Sequence, residues 1–136
     1  MKKLLIPIDG SDRSIEAVDA IKTIYRPDRV EITLLTVRED VDTTSQVFFD
    51  RMEKESMAVL DQVAEKLSDY QVTKAVKFGV AGNTILKYAK QNDIDVIVIV
   101  KRTHKGISMF LGSVSVHLIK YAHIPVVVLP EEKAEL

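Results

Sequence analysis

Unalternating apolar runs separated by amphipathic segments set the pattern of this 136-residue chain. Leu4-Leu5-Ile6-Pro7-Ile8 and Asp95-Val96-Ile97-Val98-Ile99-Val100 show no apolar/polar alternation. A strand reads that way when helices cover both of its faces. Val30 to Val37 is rich in β-branched residues and predicts a second strand. Val72 to Phe78 alternates, which predicts a half-exposed edge strand, and Pro125 to Leu129 supplies a fifth. Between these runs, apolar residues recur at helical spacing. Ile15, Val18, Ile21 and Tyr25 follow the turn Asp9-Gly10-Ser11, with Ser11 or Asp12 as the cap. Phe48, Met52, Val59, Leu60, Val63 and Leu67 share one broad face of a long helix after a polar, acidic loop. Ile85, Leu86 and Ala89 mark a third helix, capped by Asn83 or Thr84. The last helix runs from Ser113 to about Ala122, with Val114, Leu118 and Ile119 predicted inside.

Strands alternating with helix-length segments imply an α/β fold: a parallel sheet with helices on both faces and right-handed crossovers. Such sheets bind ligands beyond the carboxyl ends of the strands, where the strand order reverses. If the first strand neighbours the fourth, Asp9 and the helix start at Gly112-Ser113-Val114-Ser115 face each other across that crevice. A strand, a loop and then a helix N-terminus form an anion-binding geometry, because unpaired N–H groups and the positive dipole end point at the ligand. The intervening stretch, Lys101-Arg102-Thr103-His104-Lys105-Gly106, reads as a polar, basic turn.

Composition narrows the function classes. Hydrophobic residues make up 46% and charged residues 29%, as in an ordinary globular domain, so one domain over residues 1–136 is expected. A formal net charge of -1 gives no global drive toward nucleic acid or anionic membrane. With no cysteine, thiol catalysis, disulfides and cysteine-ligated zinc are excluded. Pro7, Asp9 and Asp12 interrupt the N-terminal apolar run, which argues against a signal peptide, and no run approaches membrane-span length. A cytoplasmic protein is the resulting expectation.

Pro7-Ile8-Asp9-Gly10-Ser11, then Ser14 and Ala17, resembles the opening signature of the universal stress protein family. Gly112-Ser113-Val114-Ser115, followed by Ala122, Pro125 and Val126-Val127-Val128, resembles its closing segment. Val37 stands where that family ends its second strand with a small apolar residue, and Gly79 with Ala81-Gly82 resembles its third-strand turn. The resemblance covers the whole chain. It implies a Rossmann-like sheet of the adenine nucleotide alpha hydrolase type, order 3-2-1-4-5, and homodimers. It also implies a division between members that bind ATP or AMP and members that do not. The residues that carry over to the nucleotide site are Pro7, Ile8, Asp9, Val37, Val100, Arg102, Thr103, Gly112, Ser113, Val114 and Ser115.

One departure bears on that division. Nucleotide-binding members carry glycine, two residues, glycine, nine residues, then Gly-Ser or Gly-Thr. Anchored on Asp95, the first two glycines fall at Val100 and Thr103, and the interval to Gly112 shrinks to eight residues, 104 to 111. Glycine permits positive φ and close backbone approach to oxygen, whereas β-branched residues oppose both. A triphosphate wrapped as in the binders meets side chains here. Lys101, Arg102 and Lys105 still supply positive charge for a monophosphate or small anion. The sequence therefore favours a regulatory binding protein with a degenerate nucleotide pocket and weakened or absent ATP binding. The alternative is an ATP or AMP sensor with an altered phosphate loop.

Each candidate also has a plainer reading. Asp9 hydrogen-bonds a ribose or caps a turn, Ser113 donates to phosphate or serves as an N-cap, and the basic run grips phosphate or is a solvated loop. His104, His117 and His123 lack metal-site spacing, and His117 and His123 read as residues of an ordinary surface helix or its end, so no metal is expected. No Ser-His-Asp set, Walker A loop or paired-carboxylate motif stands at a recognisable spacing, which argues for binding without turnover. Receiver-domain and dinucleotide-oxidoreductase readings fail for want of the acidic cluster and of G-x-G-x-x-G. The apolar edge strand Val126, Val127, Val128 and Leu129 is the predicted dimer contact.

Overall fold

A computed structural model of the chain describes residues 1–10, 12–39, 45–100, 102–104, 107–110 and 112–130. In chain order the elements are β1 (Lys2–Pro7), α1 (Asp12–Ile24), β2 (Val30–Arg38), α2 (Gln46–Glu65), β3 (Gln71–Phe78), α3 (Ala81–Gln91) and β4 (Val96–Val100). A short pair, β5 (Arg102–His104) and β6 (Ile107–Phe110), precedes α4 (Ser113–Tyr121) and β7 (Val126–Leu129). Strands β3-β2-β1-β4-β7 form a five-stranded sheet with every pairing parallel. This is the predicted 3-2-1-4-5 order, with β7 as its fifth member. The order reverses between β1 and β4, where Leu4 pairs with Val96 and Leu5 with Ile97.

The pleat sorts side chains by parity, because successive residues of a strand face opposite ways. Leu4, Ile6, Ile8, Ile32, Leu34 and Val98 meet Val18 and Ile21 of α1 and Leu60 and Val63 of α2 in one buried cluster. Leu5, Leu35, Ile97 and Ile99 meet Ile85 and Ala89 of α3 and Leu118 of α4 in a second. Each fully buried aliphatic side chain contributes about 1.5–3 kcal/mol, so burial on both faces is the main stabilising term and explains the lack of alternation. At the edge, β3 keeps Gln71, Thr73, Lys74 and Lys77 exposed, as its weaker pattern predicts.

Several expectations are corrected. The basic turn contains a hairpin: β5 pairs antiparallel with β6, Arg102 opposite Phe110 and His104 opposite Ile107, in a separate two-stranded sheet. The missed signal is two short strand-like runs separated only by Lys105-Gly106, which is hairpin spacing. The residue capping α4 is Gly112, so Ser113 is already helical and is not an N-cap. Similarly, Val80 caps α3 without a side-chain bond, and neither Asn83 nor Thr84 does so. Ile119 is 46% exposed, because α4 turns Leu118 inward and leaves Val116 and Ile119 outside. Asp95 is not part of β4. Its carboxylate accepts the Lys3 amide at 2.8 Å, while its own amide donates to the Lys3 carbonyl at 2.9 Å, tying β4 to β1. Ser11 as a cap lies outside the described residues.

Candidate functional site

Above the carboxyl ends of β1, β2 and β4 lies a cleft of about 480 Å³, walled by α3 and the start of α4. Its position follows from the sheet: β1 and β4 are neighbours whose following helices pack on opposite faces, leaving the crevice uncovered. Ile8 forms part of its floor and is pinned on both sides by β2. Its amide donates to the Leu35 carbonyl at 2.8 Å, and its carbonyl accepts from Thr36 Oγ1 at 2.9 Å. The next residue, Asp9, is exposed and lines the cleft. Gly10 follows at φ 84°, with open space where a Cβ would stand, so its role is to turn the chain.

Across the crevice, Gly112, Ser113, Val114 and Ser115 form the opposite lip. The first bond of α4 runs from the Val116 amide to the Gly112 carbonyl at 3.0 Å. The amides of Ser113, Val114 and Ser115 precede it, so no partner within the helix takes them. No acidic residue occupies this first turn, leaving the positive end of the helix dipole uncompensated from within. Val37 and Val100 complete the predicted part of the wall. Val100 is half-buried against the first cluster. Among the described residues, Asp93 is the one non-glycine at positive φ, so the chain passes Val100 in an ordinary backbone conformation.

Of the predicted nucleotide-site residues, Pro7, Ile8, Asp9, Val37, Val100, Gly112, Ser113, Val114 and Ser115 thus line one cleft. Arg102 and Thr103 fall in β5, and their side chains lie outside the described residues, as do Lys101 and Lys105. Sequence reasoning missed Thr36, Arg38, Glu39, Ala81 and Ile85, which also line it. The pleat at the end of β2 sends two of these in opposite directions. Arg38 Nη1 donates to Ser56 Oγ of α2 at 3.1 Å, whereas Glu39 Oε1 accepts from the Ala81 amide of α3 at 2.5 Å. The polar run after β2 was visible in the sequence, but its partners are far along the chain.

His117 also differs from expectation. It is not an ordinary surface residue of α4: its Nε2 is buried with no hydrogen-bond partner among the described residues, and its ring packs 4.8 Å from that of Tyr121. Among the described residues, no group of three or more His, Cys, Asp or Glu side chains could hold a metal. Nor is any described helix long and apolar enough to cross a membrane. The lining combines apolar walls, a carboxylate at one lip and, at the other, a helix start whose first amides have no partner within the helix. That suits a ligand with an apolar or aromatic body and one anionic group.

The family model described as the universal stress protein family matches residues 1–130. The chain belongs to that family. Universal stress protein YxiE of Bacillus subtilis is 31% identical, across 93% of this chain and 97% of its own length. A crystal structure of a universal stress protein family protein from Arabidopsis thaliana, At3g01520, with AMP bound, superposes with a TM-score of 0.72 at 19% identity, covering 98% of this chain and 94% of that one. A universal stress protein in complex with cAMP gives a TM-score of 0.75 at 18% identity, covering 96% and 98%. At that identity the two structures establish a shared fold. In this universal stress protein, the cleft stands at the reversal point of that fold.

Proposed function

We propose that this universal stress protein binds an adenine nucleotide in the cleft between Asp9 and the α4 N-terminus, and acts through binding without turnover. A single observation carries the reading: Asp9 and Ser113 to Ser115, more than 100 residues apart in the chain, line the same cleft of about 480 Å³. That volume falls within the range of roughly 300–1,000 Å³ usual for small-molecule sites. The AMP and cAMP complexes of two proteins of this fold support the choice of nucleotide. In this arrangement the base lies against Val37, Asp9 accepts from the ribose, and the phosphate takes the α4 amides.

The altered loop shapes the preference. With Val100 and Thr103 in place of glycines, the close backbone wrapping that a triphosphate needs is lost. A monophosphate asks only for the helix start. AMP is therefore bound in preference to ATP, which reverses the emphasis on a degenerate pocket suggested by the loop alone. Titration calorimetry with AMP and with ATP tests this. Micromolar AMP affinity that falls at least tenfold in Asp9→Ala supports the reading, and millimolar or absent affinity for both nucleotides restores the degenerate pocket.

We infer also that two copies pair through the outer edge of β7, which is the last strand of the sheet. An apolar edge strand offers unpaired backbone groups to an identical strand, and a two-fold contact closes on itself.

A further inference from the structure

We infer that Glu39 is a specificity-determining residue of the cleft: it places the chain's own negative charge on the start of α3, confining a ligand's anionic group to α4. The inference rests on nucleotide binding in this cleft. Among the described residues, two helix starts line the cleft, at Ala81 and at Ser113. Both present amides and a positive dipole end, so each alone would attract phosphate. They are not equivalent. The residue capping α3, Val80, makes no side-chain bond, and the helix has no acidic residue in its first turn. Glu39, 42 positions earlier, supplies both at once through its 2.5 Å bond with the Ala81 amide. The first turn of α4 has no acidic residue of its own.

The topology separates the two ends. β1 lies between β2 and β4, so the ends of β2 and β4 stand about two strand spacings, or ~10 Å, apart. A ligand whose phosphate takes α4 therefore extends across Asp9 toward Glu39. Neutral groups are accepted there. A second anionic group meets a carboxylate already engaged by the helix start at Ala81. The cleft thus selects nucleoside monophosphates over nucleotides that carry another charge beyond the 5′-phosphate, such as adenosine 3′,5′-bisphosphate.

Glu39→Gln removes the charge while keeping an oxygen able to accept from Ala81. Calorimetry would give the ratio of bisphosphate to AMP dissociation constants in both proteins. The preference for AMP is expected to narrow about threefold or more in Glu39→Gln at low ionic strength, with the difference between the proteins shrinking as salt screens it. Equal ratios in the two proteins, with AMP bound by both, would overturn this inference alone. Absence of AMP binding by the native protein would remove the nucleotide reading and this inference with it. Amide hydrogen exchange without ligand gives an independent check, at Ala81 in the native protein and in Glu39→Ala. Exchange about tenfold faster in the variant is expected, and equal rates would overturn the capping role.

Discussion

The ring of His117 fills the space that a side chain at position 82 would need: a Cβ on Gly82 would stand 2.5 Å from His117 Cδ2 and 2.8 Å from Cγ. This contact joins α3 to α4, the two helices that wall the cleft. It explains a glycine inside a helix, where glycine ordinarily costs about 1 kcal/mol relative to alanine. The imidazole has little room to yield, with Nε2 buried and the tilted Tyr121 ring centred 4.8 Å away.

Gly82→Ala is therefore expected to destabilise the protein by about 1–3 kcal/mol, although helix propensity alone would predict a gain. Urea denaturation measures it. Adding His117→Ala should recover much of the loss, since residues in contact couple strongly. A stabilised Gly82→Ala protein would mean that the helices are spaced more widely than described.

Thr36→Val removes the hydroxyl that donates to the Ile8 carbonyl while keeping the shape of the side chain. Leaving a buried acceptor unpaired costs about 1–3 kcal/mol. Asp9 follows Ile8 directly, so AMP affinity is expected to fall together with stability. Loss of stability with unchanged affinity would show that Asp9 is held by other contacts.

Val128→Lys tests the inferred dimer. Val128 is 37% exposed at the sheet edge, whereas Val127 packs against the first cluster and Leu129 is buried. A charge at Val127 would thus disturb the core, while one at Val128 probes the edge with the fold intact. Sedimentation is expected to show a monomer with unchanged thermal stability. A persistent dimer would place the interface elsewhere.

Two phenols make stability fall at alkaline pH. Burial raises Tyr70, with the neighbouring Asp69 charge adding to it; burial also raises Tyr88, against a hydrogen bond with Thr33 that lowers it. The folded chain holds these protons more tightly than the unfolded chain, whose phenols titrate near about pH 10. Their contribution is complete below that pH and is lost as pH rises through the higher folded values. Unfolding free energy measured from pH 8 to 11 should decline more gently in Tyr88→Phe than in the native protein. Tyr70→Phe should share that behaviour. It should also lose about 1 kcal/mol at neutral pH, because the Tyr70 hydroxyl donates to the Tyr25 carbonyl.

Much of the fold was legible because burial on both faces writes itself locally. Val96 to Val100 and Leu4 to Ile8 needed no partner to be read as central strands, and Val72 to Phe78 declared itself an edge. Asp9 and Gly112-Ser113 were legible as a strand-ending turn and a helix start because that chemistry is also local, and both line the cleft. The β5–β6 hairpin was missed because its runs are three and four residues long and polar at one end. His117 was misread because its environment is made by Gly82 of another helix, and no spacing within α4 reveals that.

The amino-acid sequence by itself determined the succession of the five sheet strands and four helices, since propensity, periodicity and turn chemistry act over a few neighbours. Only the tertiary structure decided which ends meet. The β2 pleat sends Arg38 to Ser56 and Glu39 to Ala81, and the order β2-β1-β4 brings Asp9 and Ser113 to one cleft. Those contacts join residues far apart in the chain, and packing across the sheet selects them.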